Sequence, residues 1–196
     1  MSKLLVANKI GIACLVIAAA LTVKLFWYPG EQEVRYTLDS VRSQNTPTKA
    51  NGPTSTDFGI VVDKIGANAA VIPDVDPFNS SIYQQALTRG VAHAKGTGKP
   101  GQGKNIFLFA HSSGDLITAT RFNSVFYLLH HLMVGDEIKL WYQGIEHDYL
   151  VTNKKLTDPA DLSVLTAPSN GEVLTLMTCW PPGTSLKRLI IIADPK

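Results

Sequence analysis

The chain is poor in charge, in cysteine and in any surplus of one sign. Of its 196 residues only 17% are charged, below the ~25% of ordinary soluble domains. That deficit points to a core rich in strands or to a membrane segment. Lys and Arg number 18 against 16 Asp and Glu, a net charge of +2. A dedicated nucleic-acid binder carries a clustered basic excess, so that class is set aside. The two cysteines, Cys14 and Cys179, stand 165 positions apart, which excludes a disulfide scaffold and a CxxC metal knuckle. Five histidines, His93, His111, His130, His131 and His147, form neither an HExxH motif nor a cluster bracketed by carboxylates. No metal and no other cofactor is therefore expected. There is also no internal repeat.

Residues 10–28 are nearly all apolar and count 19 positions, close to the ~20 that cross a bilayer as a helix. Lys24 near their end is placed to snorkel, and Trp27 with Tyr28 fits an interfacial belt. Lys3 and Lys9 precede the run, and Glu31 and Glu33 follow it. The positive-inside bias then predicts a cytoplasmic N-terminus (1–9), a single-pass anchor (10–28) and everything else outside the cell membrane. A cleaved signal peptide is the alternative, with Ala18-Ala19-Ala20 as a small-residue site. Residues 29–57 read as a stalk. Its first part has helical character, and 43–56 is a Pro/Ser/Thr/Asn linker.

The remaining segment, 58–196, is long enough for one core. Eight short runs, bounded by Gly, Pro and Asn, have strand character: 58–65, 69–73, 90–93, 105–110, 137–142, 146–155, 172–178 and 188–193. Only 81–89 and 123–132 have helical character, too little for a doubly wound sheet. The reading is all-β, a sandwich or a closed barrel.

The loop 98–104, GKPGQGK, resembles a phosphate-binding loop. Asn105 stands where Ser or Thr is required, and a strand follows where a helix is required, so it reads as a Gly-rich connection. His130 and His131 read as packing residues, and His147 as part of a strand. His111 differs: it ends an apolar strand and opens the polar turn His111-Ser112-Ser113-Gly114, which places a titratable ring at the mouth of a site. Cys179 likewise closes its own strand, before Trp180-Pro181-Pro182-Gly183. A thiol there reads as reactive. Arg188 opens the next strand after eight intervening residues. If 172–178 and 188–193 pair antiparallel, Cys179 and Arg188 meet near the hairpin mouth. A guanidinium there favours a thiolate or holds an oxyanion; the alternative is one more solvated charge beside Lys187. A thiol, an imidazole and an oxyanion donor are the minimum for cysteine acyl transfer.

These residues fall into a recognisable pattern. Thr175-Leu176-Met177-Thr178-Cys179 resembles the TLxTC signature of sortases, the cysteine transpeptidases of bacterial cell surfaces, and Arg188-Leu189-Ile190 resembles their following Arg-led strand. The series Gly90-Val91-Ala92-His93, Gly96-Thr97, Pro100-Gly101, Gly103, Asn105-Ile106 and Ala110-His111-Ser112 resembles the segment leading to the sortase histidine. Val134-Gly135-Asp136-Glu137-Ile138 resembles the turn before their fifth strand. The resemblance spans about 58–193. It implies an eight-stranded closed β-barrel with Cys179, His111 and Arg188 as catalytic residues; Thr178 and His93 are expected to bind substrate. Ala110 replaces the Gly that many members carry before the His. The loop 94–104 carries Lys95, Lys99 and Lys104 and no acid, so calcium activation is not carried over. The implied partners are secreted proteins bearing a sorting motif, an amine acceptor (a peptidoglycan precursor or a pilin lysine) and membrane lipid through 10–28, with no nucleic acid. Two other readings of the same residues are a cysteine peptidase releasing the acyl group to water and a non-catalytic, membrane-tethered binding barrel.

Overall fold

The computed structural model describes residues 52–112, 125–166 and 171–196, together with Ile12, 14–17, 33–34 and 37–38 as helical pieces. Two compact units result, Met1–Pro47 and Thr48–Lys196. In the first, Thr37 Oγ1 donates to the carbonyl of Glu33 at 2.8 Å, one helical turn away. Among the described residues no helix is long and apolar enough to cross a membrane. Apart from Ile12 and 14–17, the expected anchor at 10–28 lies outside the described residues, as does most of the stalk.

The second unit holds eight strands: β1 (Phe58–Val62), β2 (Ala67–Val75), β3 (Val91–Ala94), β4 (Asn105–Phe109), β5 (Glu137–Tyr142), β6 (Ile145–Thr157), β7 (Val173–Trp180) and β8 (Lys187–Pro195). They close into a barrel in the order β1-β2-β3-β4-β7-β8-β6-β5. The β2–β3 and β4–β7 pairs are parallel and the others antiparallel. The sequence leaves sandwich and barrel open; closure decides it, because β5 returns to pair with β1 through Ile60↔Leu140.

Side-chain alternation divides each strand into an inner and an outer row. Ile106 and Leu108 of β4 align with Leu174 and Leu176 of β7, and these with Ala193 and Ile191 of β8. All six are fully buried and form the barrel core with Ile60, Ile138, Leu140 and Tyr149. The outer row of the same strands runs through Asn105, Phe107 and Phe109, then Val173, Thr175, Met177 and Cys179, then Ile190 and Arg188.

Several boundaries differ from the sequence reading, three of them for reasons visible in the local backbone. The run 58–65 is a strand only to Val62; Asp63–Ile65 is a 3-10 turn closed by Gly66 at φ 62°. β2 does not stop at Pro73. It passes it through a bulge between Ile72 and Val75, where Asp74 sits at φ 56°, because Pro73 has no N–H for the ladder. The stretch 123–132 yields only the 3-10 turn Tyr127–His131, and residues 123–124 lie outside the described ones. The helix Ser80–Leu87 matches the expectation at 81–89. It is capped by Asn79, whose side chain accepts from the Ile82 N–H.

Each end of the barrel is covered. Where β4 and β7 begin, the Gly-rich connection folds across, and the N–H groups of Gly101 and Gly103 donate to Glu172 Oε2 at 2.7 and 3.1 Å. Glu172 Oε1 accepts from the Tyr149 hydroxyl at 2.6 Å. The resemblance to a phosphate loop thus has a physical basis: its backbone donors do hold an anion, and the anion is a carboxylate of the chain itself. At the opposite end the Tyr127–His131 turn brings in Phe126, Leu129 and Leu132, all fully buried. Lys154 Nζ donates to the carbonyls of His130 and Leu132, the latter at 3.2 Å.

Candidate active site

The register of three neighbouring strands builds the site. β4 and β7 run parallel with Phe109 beside Met177. The ladder continues one step past β4, with the Ala110 N–H donating to the Met177 carbonyl at 3.2 Å. A parallel register advances one residue on each strand, so His111 comes level with Cys179. Across the antiparallel β7–β8 pair, Cys179 stands directly opposite Arg188. His111, Cys179 and Arg188 therefore occupy one cross-strand row on the outer face at one end of the barrel, with neighbouring strands roughly 4.8 Å apart. All three are half-buried; Cys179 and Arg188 lie in paired strands, and His111 stands two residues past the end of β4.

The cysteine does not end its strand. β7 continues to Trp180, which pairs with Lys187. The strand stops only after that, where the Thr184 N–H and hydroxyl turn back to the Pro181 carbonyl at 3.0 and 2.8 Å. The sequence argument from Pro-Pro placed the end one residue early, and the thiol gains a flanking ladder pair. The Arg188 guanidinium lies along the β7–β8 connection, with Nη1 3.4 Å from the Ser185 carbonyl and 3.3 Å from that of Lys187. Lys187 faces the other way and pairs with Asp158 at 2.9 Å. The two adjacent cations are thus separated by strand alternation, and only Arg188 shares the thiol's face.

Thr178 and His93 occupy positions other than those expected of substrate-binding residues. Thr178 is 3% exposed, on the inner row, and its hydroxyl donates to the Ala110 carbonyl at 2.8 Å. It fastens β7 to the residue before His111. His93 is fully buried and inward-facing, opposite Leu108. Its Nδ1 accepts from the Asp74 N–H at 3.2 Å, the N–H that the β2 bulge turns away from the ladder. Its Nε2 lies 2.8 Å from the Gly98 carbonyl, to which it donates, and 3.0 Å from the Thr97 hydroxyl. Burial pushes its pKa down, outweighing the Gly98 carbonyl and Asp74. The Asp74 carboxylate at 3.7 Å is therefore near a neutral ring, and pairs instead with Lys99 at 2.8 Å. His93 locks β2, β3 and the Gly-rich loop together.

The outer row of β4 and β7 forms a floor leading away from the thiol. Tyr83 of the Ser80–Leu87 helix meets Phe109 edge-on, with ring centroids 6.3 Å apart. Asn105 accepts from the Thr175 hydroxyl at 2.9 Å and donates to the Val164 carbonyl at 3.2 Å, tying the short helix Ser163–Thr166 to the floor. Two further residues join the site without any signal in the sequence. Gln84 Oε1 lies 3.0 Å from His111 Nε2. Thr157 stands across from Arg188, and its Oγ1 is buried without a hydrogen-bond partner among the described residues. Both come from elements remote in sequence, and neither belongs to a motif.

A separate depression of about 380 Å³ is lined by His130, Lys154, Leu156, Trp180 and Leu189, among others. Trp180 and Leu189 are each one residue from Cys179 and Arg188 and so belong to the opposite face.

A closed eight-stranded barrel with a thiol, an imidazole and a guanidinium in one row is the frame of a cysteine acyl-transfer enzyme. A sortase-domain profile matches residues 60–196, and the chain belongs to the sortase family of cysteine transpeptidases. Sortase D of Bacillus subtilis (strain 168) is 27% identical over 164 residues, covering 82% of this chain and 74% of that protein. The solved structure of sortase A from Corynebacterium diphtheriae matches with a TM-score of 0.59 at 25% identity, over 81% of this chain and 67% of that one. A Clostridium perfringens sortase D5 transpeptidase shares the fold, with a TM-score of 0.58 at 22% identity over 85% and 94% of the two chains.

Proposed function

We propose that this chain is a membrane-anchored transpeptidase whose catalytic residues are Cys179, His111 and Arg188. The observation that carries the reading is the single cross-strand row that holds them. Cys179 gives its thiol proton to His111, and Sγ attacks a backbone carbonyl in the sorting motif of a secreted protein. As the oxygen gains charge, Arg188 donates to it, having only long contacts to loop carbonyls to give up. The C–N bond breaks, and His111 protonates the departing amine. The thioester on Cys179 then meets an incoming amine, from a peptidoglycan precursor or a pilin lysine. His111 takes the proton of that amine, the new amide forms, and the C–S bond breaks to return the sulfur. The apolar 10–28 segment, with lysines before it and acids after it, supports an anchor with the barrel outside the cell. Transfer is favoured over hydrolysis because the family to which the chain belongs is one of transpeptidases.

The test is product analysis with a panel of sorting-motif peptides, with and without an added amine. The reading predicts an amide product that grows with amine concentration at the expense of the free acid. Free acid alone, at every amine concentration, would assign the chain as a peptidase.

A further inference from the structure

We infer that Thr157 is a positioning residue for the reaction: its hydroxyl accepts one N–H of Arg188 in the working site and so aims the rest of the guanidinium at the reacting carbonyl oxygen. The inference rests on the oxyanion role proposed for Arg188.

The row that holds His111, Cys179 and Arg188 has a fourth member. β6 lies on the far side of β8, and Thr157 stands directly opposite Arg188. Opposed residues of an antiparallel pair project from the same face, with Cβ atoms about 4.5–5.5 Å apart. Arg188 is thus placed between the thiol on β7 and the hydroxyl on β6. The backbone of the pair is fixed on both sides, by the Leu156↔Leu189 step of the ladder and by the Lys187–Asp158 ion pair at 2.9 Å.

Thr157 Oγ1 is buried and has no hydrogen-bond partner among the described residues. An unpaired buried hydroxyl is costly, and its burial leaves a neighbouring side chain as the group to satisfy it. Arg188 supplies what is missing. A guanidinium carries five N–H donors in a fixed fork. Among the described residues its hydrogen bonds are both made by Nη1, at 3.4 and 3.3 Å to the Ser185 and Lys187 carbonyls. Thr is short and stiff at χ1, so its oxygen is the fixed post and the long arginine is the group that moves. When the guanidinium leaves the β7–β8 connection and lies along the row, one edge meets Thr157 and the other is left for the oxygen above Cys179. The new hydrogen bond offsets the long contacts given up, and it fixes the plane in which the remaining donors point.

The experiment measures kcat, KM and the urea midpoint of the full chain, with one sorting-motif peptide at saturating amine. The variants are Thr157→Val, Thr157→Ser, Arg188→Lys and the double variant Thr157→Val with Arg188→Lys. Thr157→Val keeps the shape and removes the hydroxyl. It should lower kcat by about 10-fold, a share of what one oxyanion donor supplies, with KM near the wild-type value. Its urea midpoint should stay at or above that of the wild type, because the hydroxyl it removes is unpaired in the resting site. Thr157→Ser keeps the oxygen and should keep most of the turnover. In the Arg188→Lys background the fork is already gone, so the Val substitution should add little further loss. Wild-type kcat in Thr157→Val, or a fully additive loss in the double variant, overturns the inference. A lowered urea midpoint in Thr157→Val also overturns it, since the hydroxyl would then serve the fold. Near-wild-type kcat in Arg188→Lys removes the directed-donor role of Arg188 and the inference with it, whereas wild-type kcat in Thr157→Val alone leaves that role standing.

Discussion

At the residue scale, the strongest discrimination is between charge and direction at Arg188. Lys keeps the charge and loses the planar fork of donors. Lys187, the cation next to Arg188 in sequence, faces away and is paired with Asp158, so it does not substitute for Arg188. Arg188→Lys is expected to lower kcat by roughly 10²–10³-fold, the usual loss of one oxyanion donor, and Arg188→Ala by at least as much. Near-wild-type kcat in the Lys variant would reduce Arg188 to a source of charge, and in the Ala variant would remove it from the site. His93 gives a prediction of another kind. Its folded pKa is lowered below the ordinary 6.5 by burial, so it contributes stability that is whole above that value. As pH falls from there toward the folded pKa, the unfolded chain binds a proton the native state resists, and stability declines. Urea midpoints between pH 7.5 and 5 should fall more steeply in the wild type than in His93→Gln; equal slopes would contradict the assignment. His93 was legible as a strand histidine beside a Gly-rich loop. Its inward orientation was not, since the bulge at Pro73 and Asp74 that supplies its donor is set by β2–β3 pairing across the barrel.

At the element scale, all eight strands were legible from short apolar runs between Gly, Pro and Asn, because each strand buries at least one face. Their ends were less so. Asp63–Ile65 and the Tyr127–His131 turn carry apolar residues at spacings that suit either a strand, a helix or a 3-10 turn, and packing against the barrel ends chose among them. The connection between β3 and β4 shows the same limit. Its glycines read as a plain connection, and the carboxylate that its N–H groups hold lies about seventy positions away. Glu172→Ala removes the acceptor of the Tyr149 hydroxyl, on a tyrosine that is otherwise fully buried. The expected cost is about 1–3 kcal/mol for the orphaned group, with faster amide exchange at Gly101 and Gly103. Unchanged protection of those two amides would show that the loop does not depend on the carboxylate. Burial and the Glu172 carboxylate also raise the Tyr149 pKa. Stability from this tyrosine is therefore full below its ordinary value of 10.0 and lost as pH rises above it, a loss that Tyr149→Phe should remove.

At the scale of the whole molecule, the start of the folded domain lies earlier than the first strand. The Thr54 N–H and hydroxyl both donate to Asn68 Oδ1 at 2.7 Å, and Asn68 Nδ2 donates to the Gly52 carbonyl at 3.1 Å. The carbonyls of Thr56 and Asp57 accept from Gly144 and Gln143 in the β5–β6 turn, each at 2.9 Å. A Cβ on Gly59 would stand 2.1 Å from the Ser55 carbonyl oxygen, so the segment lies directly on β1. Residues 52–57, read from composition as linker, are thus bound to the barrel by backbone and amide groups that leave no apolar pattern. Deleting 1–51 should give a domain that melts cooperatively in solution, whereas deleting 1–57 should cost about 1–3 kcal/mol. Identical melting of the two truncations would return 52–57 to the linker. The meeting of Cys179 with Arg188 was legible because strand-end positions in sequence map onto one row once the strands pair. The partners of that row, Gln84 and Thr157, needed the closed barrel to appear. The most direct measurement of the central claim is peptide mapping of the acyl-enzyme, quenched in acid during turnover of a sorting-motif peptide. The account predicts a thioester, released by hydroxylamine, on the fragment containing Cys179 and absent from Cys179→Ala, which should stay folded and be inactive. An adduct mapped to another residue, or peptide cleavage by Cys179→Ala at the wild-type rate, would contradict it.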